Sequence, residues 1–290
     1  VDREYIKKLI PINSKTFFLS PVCKDDVKGA IKKLSNSSAS GFWFSSNRLI
    51  KTCEDSLLSP LTHIINLTFK FSKFPTKLKH AVVLPFFKKD DKSEFQNYRP
   101  ITLVSSFSKI IEIIVNDKLM AFFVTNNLLN DNQHGFMRNK SVETSLFAFI
   151  NKIVETIDNK CIALGVFIDM SKAFDCVDHT ILLEKLERYG IRGACLEWFQ
   201  SYLENRYQTV RLTENNEIVL SNRLKVKMGV PQGSVLGPTL FIIYVNDLLN
   251  LFTYNSNIHI TTYADDNNIL ITCPKSSDIQ PILSTTMDTV

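Results

Sequence analysis

Three aspartates carry the chemistry expected of this sequence. Asp169 closes the apolar run CIALGVFID, and Asp265 and Asp266 stand side by side in TYADDNNILI, at the tip of what reads as a buried hairpin. Acids on strand ends are held rigidly, unlike acids on a surface helix. Adjacent carboxylates repel, and desolvating them raises the pKa of at least one unless a cation intervenes. Mg2+ suits that place: it takes oxygen ligands, uses one or two carboxylates per ion, and shares its remaining positions with water and phosphate. Two such ions can activate an attacking hydroxyl and stabilise the leaving oxygen of an in-line phosphoryl displacement. Three acids from two strand ends are the minimum for that arrangement. Asp and Asn are also turn formers, so Asp265–Asp266 taken alone is more simply an ordinary turn.

Three further features bear on that choice. In FIDMSKAFD, Phe174 follows Asp169 by five residues, with the small Ala173 before it. An aromatic ring near a metal-bound nucleotide could block a ribose 2′-OH, although a core phenylalanine explains the residue as well. GVPQGSVLG holds three of the nine glycines, with Gln232 between Pro231 and Gly233. Glycines let the backbone approach a flat ligand, and a glutamine amide can bond a sugar or base. The P-loop lysine is missing, and a tight turn entering a helix is the plain alternative.

Basic residues also cluster: Lys77, Lys79, Lys88, Lys89, Lys92 and Arg99, then Arg138 and Lys140, then Arg206, Arg211, Arg223, Lys225 and Lys227. Aromatic residues such as Phe86, Phe95, Tyr98, Phe136 and Tyr207 are interleaved with them. The combination suits a groove that follows a phosphate backbone while bases stack. Any one cluster alone is equally a solvated face.

The elements that must position these residues follow from periodicity and punctuation. Val27, Ile31 and Leu34 space a first helix, closed by SNSSASG, and FWF behind it reads as a loop with an aromatic anchor. A second helix spans residues 56–71 and ends before Pro75. HAVVLPFF is a short strand running into the charged turn KKDDKSEFQNYRP, and LVSSFSKIIEIIVNDKLMAFF is an amphipathic helix. QHGFMRNKS is a loop before a helix that starts near Ser141. CIALGVFID, apolar throughout, reads as a strand covered on both faces. Asp178 and Gly190 bracket a further helix. RYQTVRL and NRLKVKM flank ENNE as a basic hairpin, and GVPQGSVLG leads into a helix.

Composition limits the class. The 290 residues are 44% hydrophobic and 22% charged, an ordinary globular balance with room for two modest domains or one large one. The net charge of +5 is compatible with a polyanionic partner. Six scattered cysteines form no CxxC pair, so they read as reduced intracellular thiols and not as a zinc module or disulfide framework. VLGPTLFIIYV is too short to span a bilayer. The start carries neither an initiator methionine nor a signal-peptide pattern, which reads as a fragment.

YADD, FIDMSKAFD, GVPQGSVLGPTLF, NYRPITL and QHGFMRNKS together resemble the reverse transcriptase domain of non-LTR (LINE-type) retrotransposons, from about Phe74 to Ile271. The resemblance implies an α+β fold, a right-hand polymerase with fingers and palm, the palm a small antiparallel sheet backed by helices. Residues 1–75 would be a helical extension of the fingers and 76–160 the fingers. Residues 161–290 would be the palm, with a fingers hairpin inserted at about 204–228. Val290 falls inside the helix after the catalytic hairpin, so the thumb is expected to be absent.

The same resemblance implies that Asp169, Asp265 and Asp266 hold Mg2+, with Mn2+ as a substitute. Lys88 and Arg99 match residues that clamp the incoming triphosphate. Phe174 stands where ribonucleotides are excluded, Gln232 and Gly233 line the nucleotide pocket, and Arg138 and Lys140 match template contacts. It further implies an RNA template, a DNA primer and dNTPs, no membrane, and an intracellular location in nucleus and cytoplasm. Asn267 and Met137 depart from the usual pattern, where Thr follows the acidic pair and the aromatic residue directly precedes the arginine. A truncated or domesticated fragment that binds nucleic acid without catalysis is the alternative.

Overall fold

The computed structural model describes residues 6, 8–36, 46–214, 217–252, 255–274 and 279–289. In chain order these form α1 (Lys24–Lys33), α2 (Asn47–Thr52), α3 (Glu54–Lys70), β1 (His80–Phe87), β2 (Tyr98–Leu103), α4 (Ser106–Thr125), α5 (Val142–Asp158) and β3 (Ile162–Asp169). Then follow α6 (His179–Tyr189), α7 (Ala194–Leu203), β4 (Tyr207–Glu214), β5 (Glu217–Leu220), β6 (Leu224–Lys225), α8 (Leu236–Val245), β7 (Ile258–Tyr263), β8 (Asp266–Cys273) and α9 (Ile279–Thr289). No helix of the described residues is long and apolar enough to cross a membrane. The loop expected at SNSSASG and its FWF anchor lie, from residue 37 onward, outside the described residues, as do Asn215 and Asn216.

Helix ends follow local chemistry. At the start of α5, Ser141 and Thr144 cap one another: the Ser141 N–H donates to Thr144 Oγ1 at 2.9 Å and the Thr144 N–H to Ser141 Oγ at 3.4 Å. Asp178 accepts from the Thr180 and Ile181 N–H groups at 2.8 and 3.1 Å and so opens α6. Gly190 ends it in the left-handed region, φ +109°.

The chain divides into two compact units. The first comprises Val1–Pro11, Asn126–Ala173 and Leu240–Val290. Its sheet is antiparallel in the order β3–β8–β7. Alternation gives it two distinct faces. Ile258 and Ile260 of β7 with Ile269, Ile271 and Cys273 of β8 form one apolar face. Leu164, Val166 and Ile168 extend that face across β3, and Ile279, Ile282 and Leu283 of α9 pack against it. The opposite face takes α5, whose Phe149 ring lies 5.7 Å from that of Phe167. Here β3 departs from expectation. It is an edge strand, paired only with β8 among the described residues, and Phe167 is 70% exposed. Being apolar on both faces therefore does not mean being covered on both.

The second unit comprises Ile12–Thr125 and Phe174–Thr239. Its main sheet runs β2–β1–β4–β5, with β1 and β4 parallel and β6 pairing β4. The charged segment after β1 is only partly a turn, since Tyr98–Leu103 return as β2 with Phe86 opposite Arg99. The basic hairpin is also rearranged. β4 pairs antiparallel with EIVL, and NRLKVKM supplies only the two-residue β6. β-branched EIVL suits a strand better than a lysine-rich segment does.

Trp198 stacks on Tyr202 at 5.8 Å in the aromatic core of this unit, with Phe74 edge-on to both. Glu112, fully buried on α4, accepts from Ser108 Oγ at 2.7 Å with one oxygen. With the other it accepts from the Val235 and Leu236 N–H groups at 2.7 and 3.3 Å, at the first turn of α8. A carboxylate there satisfies orphan donors and complements the helix dipole. Glu112→Ala should therefore lower the unfolding free energy in urea by about 2–4 kcal/mol, because it strands buried donors. A loss below about 1 kcal/mol would show that water replaces the carboxylate.

Candidate active site

All three aspartates lie in the first unit. Asp169, the last residue of β3, stands directly opposite Asp266, the first residue of β8. Tyr263, the last residue of β7, pairs with Asp266 from the other side, so Tyr263, Asp266 and Asp169 form one row across the sheet. Ala264 and Asp265 are the two-residue turn between β7 and β8. Ala264 adopts φ +58°, a left-handed value usually left to glycine. Asn267 is buried beneath the turn and donates from Nδ2 to the Asp265 carbonyl at 2.9 Å. The amide at this position thus closes the turn from within.

Asp266 has its carboxyl held above the usual range, first by burial and then by the charges of Asp265 and Asp169. No lysine or arginine forms an ion pair with any of the three among the described residues. Nor is any cluster of three or more Asp, Glu, His or Cys side chains gathered about one point there. The donor set therefore fits an ion that takes two opposed carboxylates and completes its shell from water and phosphate, as Mg2+ does. It does not fit an all-protein cage. Asp169 and Asp266 open into a cavity of about 520 Å³ whose other walls include Leu146, Phe149, Phe167 and Tyr263.

The loop QHGFMRNKS belongs to the same unit, and its members part ways. Arg138 and Phe136 are exposed. Lys140 instead turns its ammonium onto the loop's own carbonyls, donating to Asp131 O and, at 3.1 Å, to Gln133 O. Burial lowers its pKa. Sequence reasoning missed Gln133, which is 1% exposed and bonded to the acidic turn. No local signal marks it, because its partner Ala264 lies far along the chain.

The second unit gathers the remaining candidates around the glycine-rich turn. The Gln232 Nε2 donates to Asp175 Oδ1 at 3.0 Å, and its carbonyl accepts the Thr102 N–H at 2.8 Å. The Val230 N–H donates to Phe174 O at 2.9 Å and the Gly229 N–H to Val177 O at 2.7 Å. Two glycines are required by these close approaches. A Cβ on Gly229 (φ +85°) would sit 2.7 Å from Asp175 O, and one on Gly233 (φ +125°) 2.4 Å from Thr102 O. Phe174 is only partly buried, so it is not a core residue.

Lys88 and Arg99 share the β1–β2 hairpin and are both exposed. The Lys88 N–H donates to Asn97 O at 2.9 Å, and Arg99 pairs with Phe86, so alternation puts both bases on one face. Two of the clustered bases are core residues. Lys79 is 6% exposed with its pKa lowered by burial, and Arg206 is 3% exposed with its guanidinium 4.6 Å over the Tyr202 ring. Neither is free to meet a phosphate. Arg223, by contrast, is exposed and lies 3.8 Å over Tyr207.

Residues 87–290 match the family described as reverse transcriptase (RNA-dependent DNA polymerase). The chain is 31% identical over 263 residues to a Drosophila melanogaster protein described as a probable RNA-directed DNA polymerase from transposon BS, covering 87% of this chain and 28% of that protein. It is 31% identical over 257 residues to the RNA-directed DNA polymerase from mobile element jockey of the same species, again 87% and 28%. A third Drosophila melanogaster relative, a probable RNA-directed DNA polymerase from transposon X-element, is 27% identical over 251 residues, 86% of this chain and 27% of the relative. The chain thus spans little more than a quarter of the length of these relatives.

The acidic row makes a prediction of its own. Because the Asp266 pKa is raised on folding, the folded chain keeps that proton to higher pH than the unfolded chain does. The contribution is fully present below the unfolded value and is lost as pH rises through the folded one. Asp266→Asn should then raise the thermal midpoint at neutral pH, without divalent ions, by an amount that solvent screening of this exposed residue keeps small. It should also flatten the decline in stability above the carboxylate range. An unchanged or lowered midpoint would mean that the carboxylate makes favourable contacts outweighing the repulsion.

Proposed function

The chain belongs to the reverse transcriptase family, among the relatives of non-LTR retrotransposon polymerases, and we propose that it is an RNA-directed DNA polymerase domain whose catalytic acids are Asp169, Asp265 and Asp266. The observation that carries this reading is the placement of Asp169 opposite Asp266, with Asp265 in the adjoining turn and no basic residue to neutralise them among the described residues. We take the acid-bearing sheet with its helices as the palm. The β1–β2 hairpin and the inserted hairpin at about 204–228 are taken as fingers, with residues 1–75 as their helical extension. The partition at residue 160 differs from the compact units, in which 126–160 accompany the acids. The substrates are an RNA template, a DNA primer and dNTPs, and the location is the nucleus and cytoplasm.

In this reading Asp169, Asp265 and Asp266 would together offer carboxylate oxygens to Mg2+, or to Mn2+ in its place. When bound, the ions acidify the primer hydroxyl and offset negative charge on the transferring phosphoryl group. The primer 3′ hydroxyl would give its proton to water as its oxygen bonds to the α-phosphorus and the bond to pyrophosphate breaks. Lys88 and Arg99, free at the hairpin surface, take up charge on the departing pyrophosphate. Gln232 and Gly233 line the nucleotide pocket, and Phe174 opposes a ribose 2′-OH. Arg138 is the better template contact, because the Lys140 ammonium already serves its own loop. A second reading, a nucleic-acid-binding segment that does no chemistry, rests on the exposed bases Lys88, Arg99, Arg138 and Arg223 alone.

Primer extension on an RNA template with dNTPs and Mg2+ separates the two. Extension by the wild-type chain that falls at least about a thousandfold in Asp265→Asn/Asp266→Asn supports the polymerase. In the same assay, Phe174→Ala should admit ribonucleotides. Template binding that survives the double substitution, with extension from neither form, supports the non-catalytic reading.

A further inference from the structure

The acidic turn is gripped from outside its own hairpin by a residue with none of the roles above. Residues 130–135 run beside β7. Gln133 forms a parallel bridge with Thr262, the Thr262 N–H donates to Asn132 O at 2.9 Å, and the His134 N–H donates to Thr262 O at 2.8 Å. The Gln133 side chain then reaches the turn. Its Oε1 accepts the Gly135 N–H at 2.7 Å and the Ala264 N–H at 3.0 Å, while its Nε2 donates to the Ala264 carbonyl at 3.4 Å. One carboxamide thus holds both polar groups of the residue that precedes Asp265.

The chemistry suits a glutamine. Two N–H groups need an acceptor and one carbonyl needs a donor, and a primary amide presents both, on two separate atoms of one side chain. Ala264 needs the restraint, since its φ of +58° is one that an alanine abandons readily when released. Gly135 supplies the clearance: a Cβ there would lie 2.3 Å from the Ala264 nitrogen.

We propose that Gln133 is a positioning residue for the acidic site, its carboxamide fixing the Ala264–Asp265 turn and so the aim of the Asp265 and Asp266 carboxylates. What those acids do rests on the polymerase reading; the grip does not. A substitution that keeps volume and removes hydrogen bonding, Gln133→Met, tests it in the full chain. Amide hydrogen exchange should rise about tenfold across residues 262–266 and stay unchanged in 269–273.

Mn2+ affinity, titrated by electron paramagnetic resonance, should weaken about tenfold, and kcat for RNA-templated extension should fall about tenfold to a hundredfold with the dNTP KM held. Gly135→Ala, which presses on Ala264 with the amide intact, should reproduce the local exchange gain if Gln133→Met does not fold. Unchanged exchange at 262–266 overturns the proposal, and so does altered exchange with unmoved Mn2+ affinity and kcat. If the wild-type chain neither binds Mn2+ nor extends a primer while exchange responds as described, the polymerase reading falls and the grip stands.

Discussion

Two carboxylates opposed across an antiparallel pair are the constraint around which the acid-bearing unit is organised. Like charges directly opposite destabilise a sheet, so the Asp169–Asp266 pairing must be imposed by other contacts. The apolar face imposes it. Val166 opposes Ile269 and Leu164 opposes Ile271 within the same register that ends at Asp169 and Asp266. A slip of one residue would turn Ile269 and Ile271 to the wrong face. The acids therefore ride on a register set by the core, and the repulsion between them is retained where a cation can relieve it.

The second unit solves a related problem with backbone. Its glycine-rich turn must lie close to Asp175 and Thr102, and Gly229 and Gly233 permit approaches that a Cβ would forbid. Glu112 then anchors the first turn of α8 from below. The acidic turn and the first turn of α8 are thus each held by a buried polar side chain.

Legibility in the sequence followed the range of the interaction. The caps Ser141 and Asp178 and the stop at Gly190 act within a few residues and were readable directly. So were the two acidic strand ends, because short apolar runs surround them. Partners that depend on distant residues were not. Local propensity favours EIVL over NRLKVKM as the mate of β4 only weakly, and an apolar run such as β3 looks the same at an edge as in a buried centre. Lys79 and Arg206 read as surface charge until the Trp198–Tyr202 core shows where they are buried. Glu112 and Gln133 each look ordinary for their element, and only the distant groups they bond to, Leu236 and Ala264, reveal them.

Thermal unfolding with and without Mg2+, at matched ionic strength, tests most directly whether the opposed acids are kept for a cation. The wild-type midpoint should rise as Mg2+ is added, and the rise should vanish in Asp169→Asn, which leaves Asp266 without its partner. An equal rise in both forms, or none in the wild type, would contradict the account.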